Sequence, residues 1–202
     1  MLTAELLTRP LLSLLLGYLL GSIPFGVLLT RIAGAGDLRN IGSGNIGATN
    51  VLRTGRKGLA ALTLVLDGLK GTAAVLVAAA LAPGLETLAA VGALLGHLYP
   101  VWLRFRGGKG VATLFGIMAG LHWQSALIYA LVWLGALALT RFSSLSGILA
   151  AASAPVAAAA LGRFDLALLF LGFALLVMWK HGDNIERLLA GTEPRVGRDR
   201  DA

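Results

Sequence analysis

The chain has 202 residues, of which 57% are hydrophobic and 13% are charged, whereas about a quarter of the residues in a typical soluble domain are charged. The apolar residues come in long runs without a helical or strand period, which indicates segments surrounded by lipid. Because the chain contains no cysteine, a disulfide framework, a thiolate nucleophile and a thiolate metal site are all excluded.

The net charge of +7 is of the kind that supports binding to a nucleic-acid backbone. The Lys and Arg residues lie between the apolar runs, however, where they can orient membrane spans and contact anionic headgroups at roughly 1 kcal/mol each. We therefore expect the basic residues to contact membrane lipid, and we expect no nucleic-acid partner.

Seven apolar runs approach the length that a helix needs to cross the hydrocarbon core. Their approximate limits are residues 11–32, 59–81, 85–103, two runs within 111–140 separated by residues 122–124, 145–161 and 166–179. The Pro83-Gly84 turn predicts a hairpin between the second and third runs. A re-entrant 111–140 segment would reduce the count to five. The first run is expected to be retained, because no clear cleavage site precedes it.

Small residues recur along the first run, with a proline among them: Gly17, Gly21, Ser22, Pro24 and Gly26. Small residues let helices approach closely, and proline interrupts the hydrogen-bond ladder of a helix. The pattern predicts close packing and a kink.

The distribution of basic residues predicts the orientation, since Lys and Arg accumulate on the cytoplasmic side. With the N-terminus outside, the outer segments hold only Arg9 and Arg163, and the inner segments hold 14 basic residues. The sequence therefore predicts an all-α integral membrane protein with about seven transmembrane helices, its N-terminus outside and its C-terminus cytoplasmic. Residues 1–202 are expected to form a single domain.

Three polar, glycine-rich segments then fall on the cytoplasmic face: residues 36–58, 104–113 and 180–191. Their common location predicts that the functional site lies there. The following residues, 192–202, are polar with alternating Arg and Asp, which predicts a mobile tail.

Five polar residues crowd the first segment: Ser43, Asn45, Thr49, Asn50 and Arg53. The formal G-x-G-x-x-G match at Gly42 does not indicate a dinucleotide site, because a membrane span precedes it instead of a strand. A helical turn after Asn45 would bring Thr49 and Asn50 onto faces shared with Arg53. Arginine beside amides and a hydroxyl suits a phosphate and neighbouring alcohols. The alternative is a loop that caps the next helix.

The second segment contains Gly107-Gly108-Lys109-Gly110 before an apolar run. It is not a Walker A loop, because Gly110 follows Lys109 where that motif has Ser or Thr. Consecutive glycines let N–H groups converge on an anion, and the next helix N-terminus and Lys109 add positive charge. The segment predicts a phosphate site, and the alternative is a tight basic turn.

The third segment carries His181 and Asn184, which share a helix face if the segment is helical. His181 can take a proton near neutral pH. The alternative is ordinary solvation at a helix end.

Asp67 and Lys70 fall inside the second run, where charge is costly, and their three-residue spacing predicts a structural ion pair over a proton relay. His97 and His122 are expected at membrane interfaces. The three histidines show no metal-ligand spacing, so we expect no metal and no cofactor.

Together the segments resemble the bacterial membrane acyl-phosphate:glycerol-3-phosphate acyltransferases, the PlsY family. The resemblance rests on residues 21–26, Gly42 to Arg53, Gly107 to Thr113 and His181 to Ile185, and it extends over nearly the whole chain. It implies a multi-pass protein of the bacterial inner membrane. The implied reaction transfers a fatty acyl group from acyl phosphate to the 1-hydroxyl of glycerol 3-phosphate, giving lysophosphatidic acid and phosphate in the first step of phospholipid synthesis.

The resemblance also implies a core site of Ser43, Arg53, Lys109, His181 and Asn184. Arg53 and Lys109 would hold anions, and Ser43 and Asn184 would orient the acceptor hydroxyls. Either His181 or the phosphate of the donor would accept the proton. Further substrate contacts are expected from the other polar and glycine positions of the motifs, Asn45, Thr49, Asn50, Gly107, Gly108 and Gly110.

Direct attack on the acyl carbonyl is expected, because the chain offers no activated Cys and no Ser-His-Asp order. The His-x4-Asp pair of soluble-type glycerolipid acyltransferases is absent, since Glu186 follows His181 at that spacing. The leading rival is an anion or phospho-compound transporter, which should place its site near the midplane between inverted repeats. The sequence shows no convincing internal repeat, which favours the enzyme. The motifs do not indicate any protein partner.

Overall fold

The computed structural model describes the backbone of residues 2–197 and the side chains from Leu7 onward. Every regular element in that range is helical. The α-helices are α1 Leu2–Gly21, α2 Phe25–Ile32, α3 Ala48–Leu52, α4 Lys57–Leu81, α5 Glu86–Leu98, α6 Val111–Leu121, α7 Trp123–Thr140, α8 Ser143–Ala160, α9 Phe164–Lys180 and α10 Gly182–Leu189, and short 3₁₀ helices lie at Leu38–Asn40 and Val101–Leu103.

Four helical stretches of the described residues are long and apolar enough to cross a membrane: Leu7–Ile32, Lys57–Leu81, Trp123–Thr140 and Ser143–Ala160. The pair α9 and α10, bent by 63°, makes a fifth if it is counted as one span. The predicted all-helical membrane protein is therefore confirmed. The prediction of seven crossings is not confirmed, because α5 has 13 residues and α6 has 11, fewer than the ~20 of a full crossing.

The chain divides into two compact units at His122 and Trp123. In the first unit, α1 packs on α5 through glycines of both helices. A Cβ atom at Gly17, Gly21, Gly92 or Gly96 would lie 2.0–2.3 Å from a carbonyl oxygen of the opposite helix. Only glycine permits this approach, which confirms the predicted close packing of the first span.

The predicted kink lies between α1, which ends at Gly21, and α2, which begins at Phe25. Pro24 has no N–H with which to continue the ladder, and the carbonyl of Ile23 accepts a hydrogen bond from the Lys70 ammonium at 2.7 Å. A side chain of α4 therefore satisfies a backbone group that the break sets free.

In the second unit, α8 packs between α7 and α9. The buried face of α8 is made of small residues, which include Ala150, Ala154 and Ala158, so the neighbouring helices approach closely. Leu131 of α7 and Leu168 of α9 are exposed, as expected of helix faces that meet lipid.

Candidate active site

The first polar loop joins α2 to α4 and is organised by Asn50, which is only 2% exposed. Its amide nitrogen lies within hydrogen-bond distance of the carbonyls of Leu38, Ile41 and Asn45 at 2.9–3.1 Å. Its amide oxygen accepts from the Ser43 N–H at 3.1 Å. The Asn50 amide is therefore engaged with the backbone of its own loop and sets the shape of that loop.

The same loop leaves Ser43, Thr49 and Arg53 exposed. The predicted helical turn exists as α3, and a guanidinium nitrogen of Arg53 lies 3.4 Å from the Asn50 amide oxygen, as the three-residue spacing predicts. Asn45 accepts from the Gly47 N–H at 2.9 Å. Among the predicted polar residues, the two asparagines thus hold the loop, and the other three present their side chains at its surface.

Gly42 makes the close approach to Arg53 possible. Its φ of +55° is in the left-handed region, and a Cβ there would lie 2.5 Å from the Asn50 amide oxygen and 2.9 Å from Cδ of Arg53. A larger residue would therefore be strained and would displace both side chains.

Two other arginines near this loop are already paired. The Asp37 carboxylate accepts hydrogen bonds from the backbone N–H and the guanidinium of Arg39, and it forms an ion pair with Arg31 at 3.1 Å. These hydrogen bonds, those from Arg39 above all, hold the pKa of the Asp37 carboxyl well below its usual value. Arg31 and Arg39 thus share the single negative charge of Asp37, which engages part of their hydrogen-bonding capacity.

The second polar loop, residues 104–110, is fastened to the end of α5. The N–H of Gly107 donates to the Leu98 carbonyl at 3.2 Å, and the N–H of Gly108 donates to the His97 carbonyl at 3.0 Å. The prediction counted these N–H groups as part of an anion nest, but α5 already accepts their hydrogen bonds. Lys109 and the start of α6 are therefore the remaining candidates for anion binding in this loop.

Two different steric effects require glycine in this loop. A Cβ at Gly107 would lie 2.1 Å from the His97 carbonyl oxygen, and one at Gly108 would lie 2.1 Å from Nε2 of the His97 ring. Gly110 instead has a left-handed φ of +85° at the start of α6, which L-residues adopt at a cost.

The first two loops share a small hydrophobic cluster of Val27, Ile46 and Leu103. Ile46 belongs to the first loop, and Leu103 immediately precedes the second. The segments that carry Arg53 and Lys109 are thus packed onto common support within the first unit.

His181 and Asn184 lie in the second unit, at the junction of α9 and α10. They are only 2% and 6% exposed, so these two side chains are not simply solvated at a helix end. His181 Nδ1 lies 2.7 Å from the Val177 carbonyl. Because a carbonyl can only accept a hydrogen bond, the neutral ring carries its proton on Nδ1, and Nε2 is then its basic nitrogen.

Glu193 is a neighbour of the candidate site that the sequence did not reveal. One of its carboxylate oxygens accepts from Ser144 and from the Asn184 amide, each at 2.6 Å, and the other accepts from Arg187 at 2.7 Å. Burial opposes ionisation of this carboxyl, but the three hydrogen bonds outweigh it, so the pKa of Glu193 lies below its ordinary value. Glu193 therefore fixes the orientation of Asn184.

Glu193 belongs to the segment for which the sequence predicts mobility, residues 192–202. The structure packs the first part of that segment: the Val196 N–H donates to the Arg141 carbonyl at 2.8 Å, and Arg195 lies 5.0 Å from the centre of the Phe142 ring. Residues 198–202 lie outside the described part of the chain.

The predicted ion pair exists in α4, where the Lys70 ammonium lies 2.7 Å from the Asp67 carboxylate and both side chains are buried. His97 was predicted at a membrane interface but is only 4% exposed, with Nδ1 3.8 Å from the same carboxylate. Among the described residues, no three His, Cys, Asp or Glu side chains are grouped so that they could hold a metal. The expectation of a metal-free site stays a prediction.

The apolar helices and the two basic loops define a membrane-embedded protein with a candidate site for an anion. A family model described as glycerol-3-phosphate acyltransferase matches residues 11–191. Glycerol-3-phosphate acyltransferases of Mesorhizobium japonicum and Rhodopseudomonas palustris are 60% and 58% identical over 187 residues, covering 93% and 92% of this chain and 96% and 95% of theirs. The chain belongs to the glycerol-3-phosphate acyltransferase family of the PlsY type.

Two solved structures are also similar. The crystal structure of PlsY, an integral membrane glycerol 3-phosphate acyltransferase, in its glycerol 3-phosphate form is 39% identical, with a TM-score of 0.87, and the match covers 93% of this chain and 96% of that one. The lysophosphatidic acid form is 37% identical, with a TM-score of 0.85, and the match covers 93% and 95%. The family and the enzyme class inferred from the motifs are confirmed.

Proposed function

We propose that this chain transfers a fatty acyl group from acyl phosphate to the 1-hydroxyl of sn-glycerol 3-phosphate, in the first step of phospholipid synthesis. The products are 1-acyl-sn-glycerol 3-phosphate, which is lysophosphatidic acid, and inorganic phosphate. The observation that carries the proposal is the likeness, over nearly the whole chain, to a structure that holds glycerol 3-phosphate and one that holds lysophosphatidic acid.

Within the site, we assign anion binding to Arg53 and Lys109, and orientation of the acceptor hydroxyls to Ser43 and Asn184. Arg53 is exposed on a loop that Asn50 holds in shape, and Lys109 stands at the start of α6. A cation presented on a fixed backbone loses little freedom when it binds phosphate. Thr49 adds a hydroxyl, while Asn45, Gly107, Gly108 and Gly110 contribute the backbone shape.

The reaction is a direct displacement. The 1-hydroxyl oxygen of the acceptor forms a bond to the acyl carbonyl carbon, and the bond from that carbon to the phosphate oxygen breaks. Nε2 of His181 is suited to take the hydroxyl proton, because Nδ1 is already bonded to the Val177 carbonyl. The departing phosphate is the alternative acceptor, and in both cases the phosphate leaves with the bonding electron pair.

A donor assay tests the reaction. Purified protein is incubated with glycerol 3-phosphate and acyl phosphates of several chain lengths, with acyl-CoA as the control. We expect release of phosphate and formation of lysophosphatidic acid from acyl phosphate alone. Turnover of acyl-CoA at an equal or higher rate would contradict the proposed donor, and transport of glycerol 3-phosphate without acylation would favour the transporter.

We also propose that the chain crosses the bacterial inner membrane seven times, with its N-terminus outside and its motif loops in the cytoplasm. The asymmetry of basic residues supports this orientation, since Arg9 and Arg163 would be the only outer ones. The short helix α5 is about 20 Å long at 1.5 Å per residue. It packs against α1 and α4, and a helix surrounded by protein does not need to match the thickness of the lipid.

The topology can be tested by cysteine labelling, because the chain has no cysteine of its own. Single cysteines at Thr54, Glu86, Arg106 and Arg163 are exposed to a membrane-impermeant maleimide in intact spheroplasts and in inverted vesicles. We expect labelling of positions 86 and 163 in spheroplasts, and of 54 and 106 only in inverted vesicles. Labelling of 54 and 86 from the same side would contradict the proposed crossing by α4.

A further inference from the structure

A cluster of three buried ionisable side chains, Asp67, Lys70 and His97, lies behind the second polar loop. We call it the buried charge cluster. Asp67 and Lys70 are on α4 and His97 is on α5, and each residue is 3–4% exposed. The Asp67 carboxylate oxygen lies 2.7 Å from Nζ of Lys70 and 3.8 Å from Nδ1 of His97. Burial of ionisable groups is costly. Apolar residues of similar volume would often stabilise the fold as well or better, so packing alone does not explain the cluster.

His97 connects this cluster to the glycine loop in two ways. Its carbonyl accepts the N–H of Gly108 at 3.0 Å. Its ring lies against Gly108 so closely that a Cβ there would be 2.1 Å from Nε2 and 2.8 Å from Cε1. One edge of the imidazole thus faces Asp67, and the other edge faces the residue that immediately precedes Lys109.

Lys70 fixes the opposite end of the cluster. Its ammonium donates to the Ile23 carbonyl at 2.7 Å, at the break between α1 and α2, and it lies 5.8 Å from the centre of the Phe25 ring. From that break, Lys70 leads to Asp67 at 2.7 Å, and Asp67 approaches the His97 ring at 3.8 Å, which is too long for a hydrogen bond. The ring in turn lies against Gly108.

We propose that His97 is a positioning residue for Lys109: its imidazole, packed between Asp67 and Gly108, sets the place of the Gly107–Gly110 backbone. The inference rests on the proposed role of Lys109 in binding phosphate. Asp67 acts one step further away, because it limits the space on the other side of the ring, and Lys70 acts only through Asp67. Loss of the ring lets the loop move, and a displacement near 1 Å is enough to cost about 10²-fold in kcat/KM, here through a higher KM because Lys109 is a binding group.

A bump-and-hole experiment tests the contact. Gly108→Ala places a methyl group against the His97 ring, which cannot easily withdraw because Asp67 lies on its other side. We expect kcat/KM to fall by roughly 10²-fold in Gly108→Ala and by about ten-fold or more in His97→Ala. In the double variant the methyl group enters the space that the ring has left, so kcat/KM should exceed the product of the single effects by at least about ten-fold.

Gly107→Ala supplies the matched control. Its Cβ would meet the His97 carbonyl oxygen at 2.1 Å and the Pro100 ring at 2.5 Å, and His97→Ala removes neither. The effects of Gly107→Ala and His97→Ala should therefore multiply. If the Gly108→Ala and His97→Ala effects also multiply, the ring does not support the loop and the inference is wrong.

A second readout separates positioning from general loss of structure. Removal of a binding contact raises KM with kcat nearly unchanged, so His97→Ala should raise KM for the same phosphorylated substrate as Lys109→Ala. A fall in kcat alone, or an effect on the other substrate, would overturn the inference. If Lys109→Ala changes neither KM, the proposed role of Lys109 fails, while the bump-and-hole result still decides whether the ring supports the loop.

Discussion

Replacement of Glu193 is the sharpest test of how the third motif is held. The carboxylate accepts hydrogen bonds from Ser144, Asn184 and Arg187. Glu193→Ala leaves these buried or half-buried donors without that acceptor, and the loss of one partner of a buried charged network costs about 3–5 kcal/mol. For a chain of this size, 1 kcal/mol corresponds to a Tm change of roughly 2–4 °C. We therefore expect the Tm in detergent to fall by about 10 °C.

Glu193→Gln separates charge from shape. The amide can still accept from Ser144 and Asn184, but its NH₂ group would face the donor of Arg187, so we expect about half of the loss seen with alanine. Because the hydrogen bonds lower the pKa of Glu193, its contribution to stability is complete above the ordinary glutamate pKa of about 4.3 and is lost as the pH falls through the lower folded-state pKa. The Tm gap between wild type and Glu193→Gln should therefore close in acid.

Differential scanning fluorimetry of purified protein from pH 3 to pH 8 measures both effects. Glu186→Gln is the control, because it makes the same substitution at an exposed site on α10. A Tm within 2 °C of wild type for Glu193→Ala at neutral pH, or a gap that widens in acid, would refute the reasoning.

Three further predictions concern other parts of the molecule. Gly92→Ala should lower the Tm by several degrees, since its Cβ would lie 2.1 Å from the Leu14 carbonyl oxygen, whereas Gly135→Ala meets nothing within 4 Å and should not. Lys70→Met leaves a buried carboxylate without its counter-ion, so adding Asp67→Asn should recover stability, measured by Tm. If His181 is the base, His181→Ala should lower kcat by 10²–10⁴-fold at saturating substrate, and a loss of only a few-fold would assign the proton to the phosphate.

The sequence predicts most of the fold because the bilayer constrains composition strongly. The long apolar runs of α1, α4, α7 and α8 follow directly from hydrophobicity, and Gly17 and Gly21 predict the close packing that α1 makes with α5. The three-residue spacing of Asp67 and Lys70 predicts their ion pair. The seven-crossing count stays a prediction, because the extents of α5 and α6 depend on turns that hydropathy does not reveal.

The parts of the site that the sequence did not reveal depend on contacts between distant residues. Glu193 accepts a hydrogen bond from Ser144, which is 49 positions away in the sequence. The residues around Glu193 in the sequence are polar, which predicts a mobile tail instead of a packed segment. The glycines at 107 and 108 read as an anion nest because their spacing permits one, and only the tertiary structure reveals that α5 carbonyls accept their N–H groups. His97 likewise gains its neighbours only when α4 and α5 pack.

The central claim is direct transfer between two bound substrates, and rapid chemical quench with acyl phosphate labelled in its phosphate group tests it most directly. The account predicts that phosphate is released only when glycerol 3-phosphate is present, in a one-to-one ratio with lysophosphatidic acid and without an acylated protein. A burst of phosphate equal to the enzyme concentration in the absence of glycerol 3-phosphate would reveal an acyl-enzyme and would contradict the account.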